Sequence, residues 1–160
     1  MRRSDREVTD IDEKLGIISR CKVCRLAMID QTVEPSEPYI VPLNFGYEYA
    51  DGVLFLYFHG AGEGRKVNIL SIGGRVCFEM DGAHKLIVGP QDCSYSFAYE
   101  SVIGKGPVEF IDDPAGKARG LALLMRHQTG EDREFSFDDA ALSKTTVFRV
   151  RAEEWSAKRH

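Results

Sequence analysis

The run Tyr39–Tyr49 constrains the fold most. Its odd positions are all Tyr, Val, Leu or Phe, and its even positions are Ile40, Pro42, Asn44, Gly46 and Glu48. Side chains on a strand point alternately to its two faces, so this period of two predicts a β-strand with one face buried. Pro42 has no N–H to give to a ladder and marks a bulge or an edge. Ala50-Asp51-Gly52 supplies a hairpin turn. Val53–His59 then follows as a nearly continuous apolar strand, which predicts cover on both faces.

The remaining segments extend this pattern. Cys24–Asp30, Arg75–Met80, Tyr95–Phe110 and Thr145–Arg151 read as strands. Gln31–Pro38 reads as a loop, Asp81-Gly82 as a turn, and His84–Val88 as a continuation of the sheet. Gly104, Gly106 and Pro107 interrupt the longest strand and predict a bend. Asp10-x-x-Glu13 has the form of a capping box, ahead of Ile11, Leu15 and Ile18 on one helical face. Arg65–Ile72 reads as a short helix stopped by Gly73-Gly74, and Gly60–Gly64 before it as a glycine-rich loop. Asp113 and Pro114 make an N-cap and N1 pair for a helix running to Gly130, with Ala118, Leu121, Ala122 and Met125 as its apolar stripe. Gly130–Lys144 is polar, with room for one helical turn. About six strands with few, peripheral helices predict a single mainly-β domain over residues 1–160, a small antiparallel barrel. No Gly-x-Gly-x-x-Gly follows a first strand, which argues against a dinucleotide-binding α/β fold.

Charge and composition remove several function classes. The 160 residues carry 21 Lys and Arg against 25 Asp and Glu, a net charge of −4, with the basic residues scattered. Nucleic-acid binders need a basic stripe to neutralise phosphates, so that class is not expected. No apolar run approaches the roughly 18 residues of a spanning helix. The charged start leads into no apolar signal core, so the expected location is the cytoplasm. Cys21-x-x-Cys24 finds no second closely spaced pair among Cys77 and Cys93, so reduced, partly buried thiols are expected and no metal site. A zinc- or thiol-based regulator on Cys21 and Cys24 is the weakest of the functional readings. His84 and His127 read as surface residues. There is no Ser-His-Asp order and no paired carboxylate to carry hydrolysis.

The segment with chemistry is Tyr57-Phe58-His59-Gly60-Ala61-Gly62-Glu63-Gly64-Arg65-Lys66. A strand end passes into glycines that let backbone N–H groups approach an anion, and two cations then open a helix. Arg forks onto phosphate oxygens and Lys adds a point charge, so the chemistry suggested is binding of a phosphomonoester. The Gly-Lys-Ser/Thr ending of a P-loop is absent. On the residues alone, a solvated helix start remains the competing reading.

Four stretches in order carry a resemblance: Tyr39-Ile40-Val41-Pro42-Leu43-Asn44-Phe45, Phe55–Ala61, Gly64-Arg65-Lys66, and Tyr99-Glu100-Ser101-Val102-Ile103-Gly104-x-Gly106. The chain resembles the pyridoxamine 5′-phosphate oxidase-related flavin-binding proteins, and within them the nitroimidazole-resistance branch. The resemblance implies a split β-barrel that forms a homodimer and holds FMN at the subunit interface. It implies that Arg65 and Lys66 hold the FMN phosphate, with Gly64 among the cofactor-binding residues, and that Val41, Pro42, Leu43 and Asn44 face the isoalloxazine ring. It also places His59 at the cofactor's edge, Phe58 among the cofactor-binding residues, and Ser101 on a neighbouring strand near the phosphate or ribityl chain. The Trp and Arg substrate signature of pyridoxamine phosphate oxidases is not recognisable, and the tail Trp155-Ser156-Ala157-Lys158-Arg159 departs from the Gly-Lys pair of many relatives.

Two functions follow from the resemblance. One is an FMN-dependent oxidoreductase passing electrons from a donor such as NADH or NADPH to a small, electron-poor acceptor such as a nitroaromatic ring. His59 is then the candidate proton donor. The other is a non-catalytic flavin-nucleotide carrier, store or sensor using the same phosphate site.

Overall fold

The alternating stretch forms two strands. A computed structural model describes residues 3–160 and breaks the run at Asn44-Phe45, giving β3 (Glu37–Leu43) and β4 (Gly46–Ala50). These strands pair with different neighbours: β3 with β2 (Cys24–Asp30), and β4 with β5 (Val53–Ala61) through the Asp51-Gly52 turn. The loop expected to end at Pro38 ends earlier, at Ser36, because β3 begins at Glu37. Gly60 and Ala61, expected in a loop, complete β5.

Nine strands are present among the described residues, against about six expected. A two-residue β1 (Glu7–Val8) pairs with β9 (Glu154–Arg159), so Thr145–Arg151 does not close the fold. Asp81-Gly82 is not a turn. The strand β6 (Arg75–Ile87) runs through it with a register shift between Gly82 and Lys85, and Ala83 adopts a φ of 54° there. A bulge has absorbed the turn signal.

The path β3-β2-β6-β7-β8-β5-β4 is antiparallel throughout and does not close, since β3 and β4 remain its two edges. This is a split β-barrel. Its hinge is β7 (Ser96–Ile111), which lies between β6 and β9 along its first part and pairs with β8 (Thr145–Ala152) over Val108–Ile111. At Gly106 a Cβ would stand 1.8 Å from the Arg151 carbonyl oxygen, so only glycine lets the two backbones cross there. The bend expected from Gly104, Gly106 and Pro107 is this change of partner.

The barrel interior is apolar. Phe45, Phe58, Phe78 and Phe148 are fully buried with Leu26, Leu54, Leu56, Met80 and Val102. Helix α1 (Ile11–Arg20) starts at Asp10, whose carboxylate accepts the Glu13 N–H, and packs Ile17 and Ile18 into this core. Helix α3 (Pro114–Thr129), capped by Asp113 and ended by Gly130, covers the outside of β4 and β5. Tyr57 is buried beneath its Gly120. A short α2 (Arg65–Ser71) docks through Ile69 and Leu70, and α4 (Asp139–Lys144) supplies the helical turn expected before β8. No helix is long and apolar enough to cross a membrane among the described residues.

Candidate functional site

Lys66, the second residue of α2, folds back over the end of β5. Its Nζ lies 5.7 Å from the centre of the Phe148 ring and only 2.9 Å from where a Cβ on Gly60 would stand. Any side chain at position 60 would push the ammonium away, which gives Gly60 its role. Burial pulls the Lys66 ammonium below the ordinary lysine value, and no carboxylate of the described residues offsets its charge. Thr146 is opposite Gly60 in the ladder, and its Oγ1 lies 3.7 Å from the Cβ position of Gly62. Gly64, just before α2, has a φ of 122°, in the region that favours glycine. A half-buried, uncompensated ammonium, a hydroxyl and a glycine backbone thus meet at one end of β5 and β8. Such a set binds a small anion by charge-assisted hydrogen bonds strengthened by partial desolvation.

Arg65 turns the other way. Its Nε donates to Asp30 Oδ2 at 2.7 Å, its Nη2 donates to Glu37, and its guanidinium lies 4.7 Å over the Tyr39 ring. Hydrogen bonds from Arg65 to Glu37, and then to Asp30, raise the Arg65 pKa. Asp30 is fully buried at the end of β2 and also accepts the Thr32 N–H at 2.9 Å and the Thr32 hydroxyl. The Thr32 hydroxyl is the largest influence holding the Asp30 carboxyl below the usual range, with Arg65 adding to it. The two cations expected on one phosphate therefore have separate surroundings.

The other expected contacts divide similarly. Phe58 is 1% exposed and stacks on Phe148 at 5.3 Å between ring centres. His59 is exposed but points to the opposite face of β5 from Phe58 and Gly60, beside Val147 on the side of α3 and α4. Partial desolvation of its ring, and then the Lys66 charge, lower its pKa below the ordinary histidine value. Val41 and Leu43 pack against the core, and Pro42 faces outward opposite Arg25. The Asn44 side-chain amide donates to the Lys22 carbonyl at 3.2 Å and to Gln128 at 3.1 Å. Ser101 pairs with Asp81 on one side and Lys158 on the other, in the part of β7 remote from its β8 pairing. Within one chain the fold does not bring Ser101 to Lys66.

His127, expected at the surface, is half-buried: its ring lies 4.6 Å from that of Phe45, and Nε2 lies 2.8 Å from the Cys21 carbonyl oxygen. Cys21 and Cys24 are buried, and burial pushes the Cys21 thiol up to about 11 and Cys24 higher still, so neither is a ready thiolate. Among the described residues no three His, Cys, Asp or Glu side chains gather as a metal site would need. Sequence reasoning missed Asp30 and Thr146. Asp30 was within reach, because it occupies the inward register Cys24, Leu26, Met28, Asp30 of an otherwise apolar strand face.

With this geometry in hand, likeness to known proteins acquires structural meaning. The pyridoxamine 5′-phosphate oxidase family profile matches residues 10–159. The chain belongs to that family. A solved structure from Bacteroides thetaiotaomicron, described as a candidate 5-nitroimidazole antibiotic resistance protein, is 34% identical. The match covers 96% of this chain and 86% of that one, with a TM-score of 0.80. Two further structures share the fold at 20% identity. A flavocytochrome from Azotobacter vinelandii has a TM-score of 0.78, over 100% of this chain and 72% of that one. A FAD and heme binding protein from Mycobacterium smegmatis has a TM-score of 0.77, over 96% and 73%. No curated protein is similar enough in sequence to match. This family member retains the full split barrel, from α1 to β9, within the matched span.

Proposed function

We propose that this chain is a cytoplasmic, homodimeric FMN-dependent oxidoreductase that reduces small electron-poor acceptors such as nitroaromatic compounds. The observation that carries the reading is the Lys66 ammonium, half-buried and without a carboxylate partner, lying against Gly60 at the end of β5. A phosphomonoester fits that donor set: Lys66 and the Thr146 hydroxyl would hold its oxygens, with the Gly60–Gly64 backbone beside them and Arg65 at the same helix start. Bound there, the flavin supplies the two-electron chemistry, taken from NADH or NADPH. The chain binds and orients it. The nitroimidazole link of the 34%-identical relative favours a flat nitro-substituted acceptor.

The dimer is supported by the outward face of the sheet. Ile29, Ile40 and Ile103 are 56%, 60% and 50% exposed there, and Phe97 is 50% exposed. Ile29 and Ile40 line one apolar hollow with Pro38 and Cys77, and Ile103 adjoins Cys77, a contiguous patch of the kind that marks interfaces. Pro42 and Ser101 lie on the same outward face, where a second copy would bring them within reach of a shared ligand.

One observation favours the non-catalytic alternative, a flavin-nucleotide carrier or sensor. His59, the candidate proton donor, lies on the opposite face of β5 from Gly60. Absorption spectra of the purified protein with added FMN test the shared site. NADPH oxidation with and without a nitroaromatic acceptor separates the two functions: acceptor-dependent turnover is expected, and bound FMN without turnover establishes the carrier.

A further inference from the structure

The hairpin of β6 and β7 outruns the barrel. β2 bonds to β6 only over Cys77–Glu79, and β9 with the following His160 bonds to β7 no further than Tyr99. Beyond the bulge at Gly82–Lys85, Lys85–Ile87 and Ser96–Ala98 pair with each other, with no third strand among the described residues. A lone two-stranded ribbon is marginal in water unless something packs on it. This one is also apolar at its tip, where Leu86, Val88, Tyr95 and Phe97 are all exposed.

Register fixes which way those side chains point. Ser101, Tyr99 and Phe97 alternate along β7 on the outward face of the sheet, and Leu86 is opposite Phe97. His84 spans the bulge on the same face: its Nε2 lies 2.8 Å from Asp81 Oδ2, and its ring 5.8 Å from that of Phe97. The outward face therefore carries two apolar regions. One is this arm. The other is an open hollow of about 530 Å³ walled by Ile29, Pro38, Ile40 and Cys77. Between them lies a band of charges of both signs, already satisfied within the chain. Arg25 Nη1 donates there to Glu79 at 2.9 Å and to Asp81 at 2.6 Å.

The two regions are evenly placed about that band. Cys77 precedes Asp81 by four residues, and Leu86 follows it by five, one of which the bulge absorbs. At about 3.3 Å per residue, each region lies about 13 Å from the Asp81 row. In a two-fold pair, residue i meets j and j meets i. An axis running across the strands near Asp81 turns a second copy face-on with its strands reversed. Its arm then lies on this chain's hollow, and this chain's arm on its hollow. Both halves of the contact are present on one chain, which favours a second copy over any other occupant.

We propose that the β6–β7 hairpin is an exchanged arm: in the homodimer each copy seats Leu86 and Phe97 in the Ile29–Ile40–Cys77 hollow of the other. The inference rests on the homodimer proposed above and says how its halves are held.

Thiol chemistry tests the contact directly. Leu86→Cys in a Cys93→Ser background puts a thiol on the arm, and Cys77 is then the only other exposed one. Mild oxidation or a short bismaleimide should yield a covalent dimer, and adding Cys77→Ala should abolish it, as should restoring Leu86. A dimer that does not crosslink, or that crosslinks equally without Cys77, overturns the arm and leaves the homodimer standing. Charges give a second readout. Leu86→Glu and Cys77→Lys, both at exposed positions, should each weaken the dimer by about 30-fold or more, the scale of an interface hot spot. Combined in one chain they face each other across the interface and should restore most of the affinity. Light scattering over a dilution series, with and without FMN, measures this, and circular dichroism shows that the dissociated chains stay folded. Single variants that dimerise like the wild type, or a combination that rescues nothing, overturn the arm. A wild type that is monomeric throughout rejects the homodimer and the arm together.

Discussion

Arg65 and Lys66 are adjacent, carry the same charge and begin the same helix, yet they sit in opposite electrostatic surroundings. Arg65 faces the β2–β3 edge, where Asp30 and Glu37 hold its donors and keep it firmly protonated. Lys66 faces the end of β5 and β8, where burial and a bare glycine leave it half-desolvated with no counter-charge. A cation already satisfied by carboxylates gains little from a new anion. A cation desolvated and unpaired gains a great deal. The comparison teaches that a basic dipeptide in a sequence is not one site but two side chains with separate neighbourhoods.

The largest effect should come from removing the unpaired cation. Lys66→Ala is expected to weaken FMN binding by about 10–150-fold, the value of one charge-assisted hydrogen bond of about 1.5–3 kcal/mol. Riboflavin binding should not change. Flavin-fluorescence titration of both ligands measures this, and an unaltered FMN affinity would erase the contrast between the two cations.

Gly60→Ala sharpens the same comparison without touching a charge. The new methyl would occupy space now filled by the Lys66 ammonium, whose flexible end can move aside, so folding should be nearly unaffected. FMN affinity is expected to fall about tenfold as the amine is displaced, within the range for one such bond. Equal loss of FMN and riboflavin binding would point to a general steric block.

A smaller effect concerns pH. His59 and His127 both have pKa values lowered by burial, the former also by Lys66. The unfolded chain, whose histidines titrate near about 6.5, then binds protons that the folded chain refuses. Stability is therefore complete above that value and declines as pH falls below it toward the folded-state values. Urea midpoints at pH 7.5 and 5.5 should show the decline, and His127→Gln should flatten it. A midpoint that rises on acidification would contradict the assigned direction.

The smallest effect on the site is expected from the thiols. Cys21→Ala with Cys24→Ala should cost stability, through lost packing at two buried positions, and leave flavin content per folded chain unchanged. Flavin loss from a folded double variant would tie the N-terminal segment to the site.

The sequence was legible where one rule governs one segment. Alternation located the strands, Asp113-Pro114 and Gly130 bounded α3, and the glycines and proline of 104–107 announced the bend. It was silent where a strand's identity depends on its partner. Tyr39–Tyr49 keeps a continuous period of two across Asn44-Phe45, and only the pairing with β2 on one side and β5 on the other divides it. In β9 the inward residues are Trp155 and Ala157, too few to stand out amid a charged tail. At the site, Lys66 was legible from its glycines. Asp30 stood out as a charge in an apolar register, but nothing local paired it, or Glu37, with Arg65 on a later helix.

The bend in β7 carries a consequence for how the molecule comes apart. Among the described strands β7 alone is bonded into both sheets, to β6 and β9 over one part and to β8 over the other. Neither sheet can be dismantled strand by strand from that side without disturbing the other. Heat or denaturant should therefore melt the barrel in one all-or-none step, with the calorimetric and van't Hoff enthalpies in agreement.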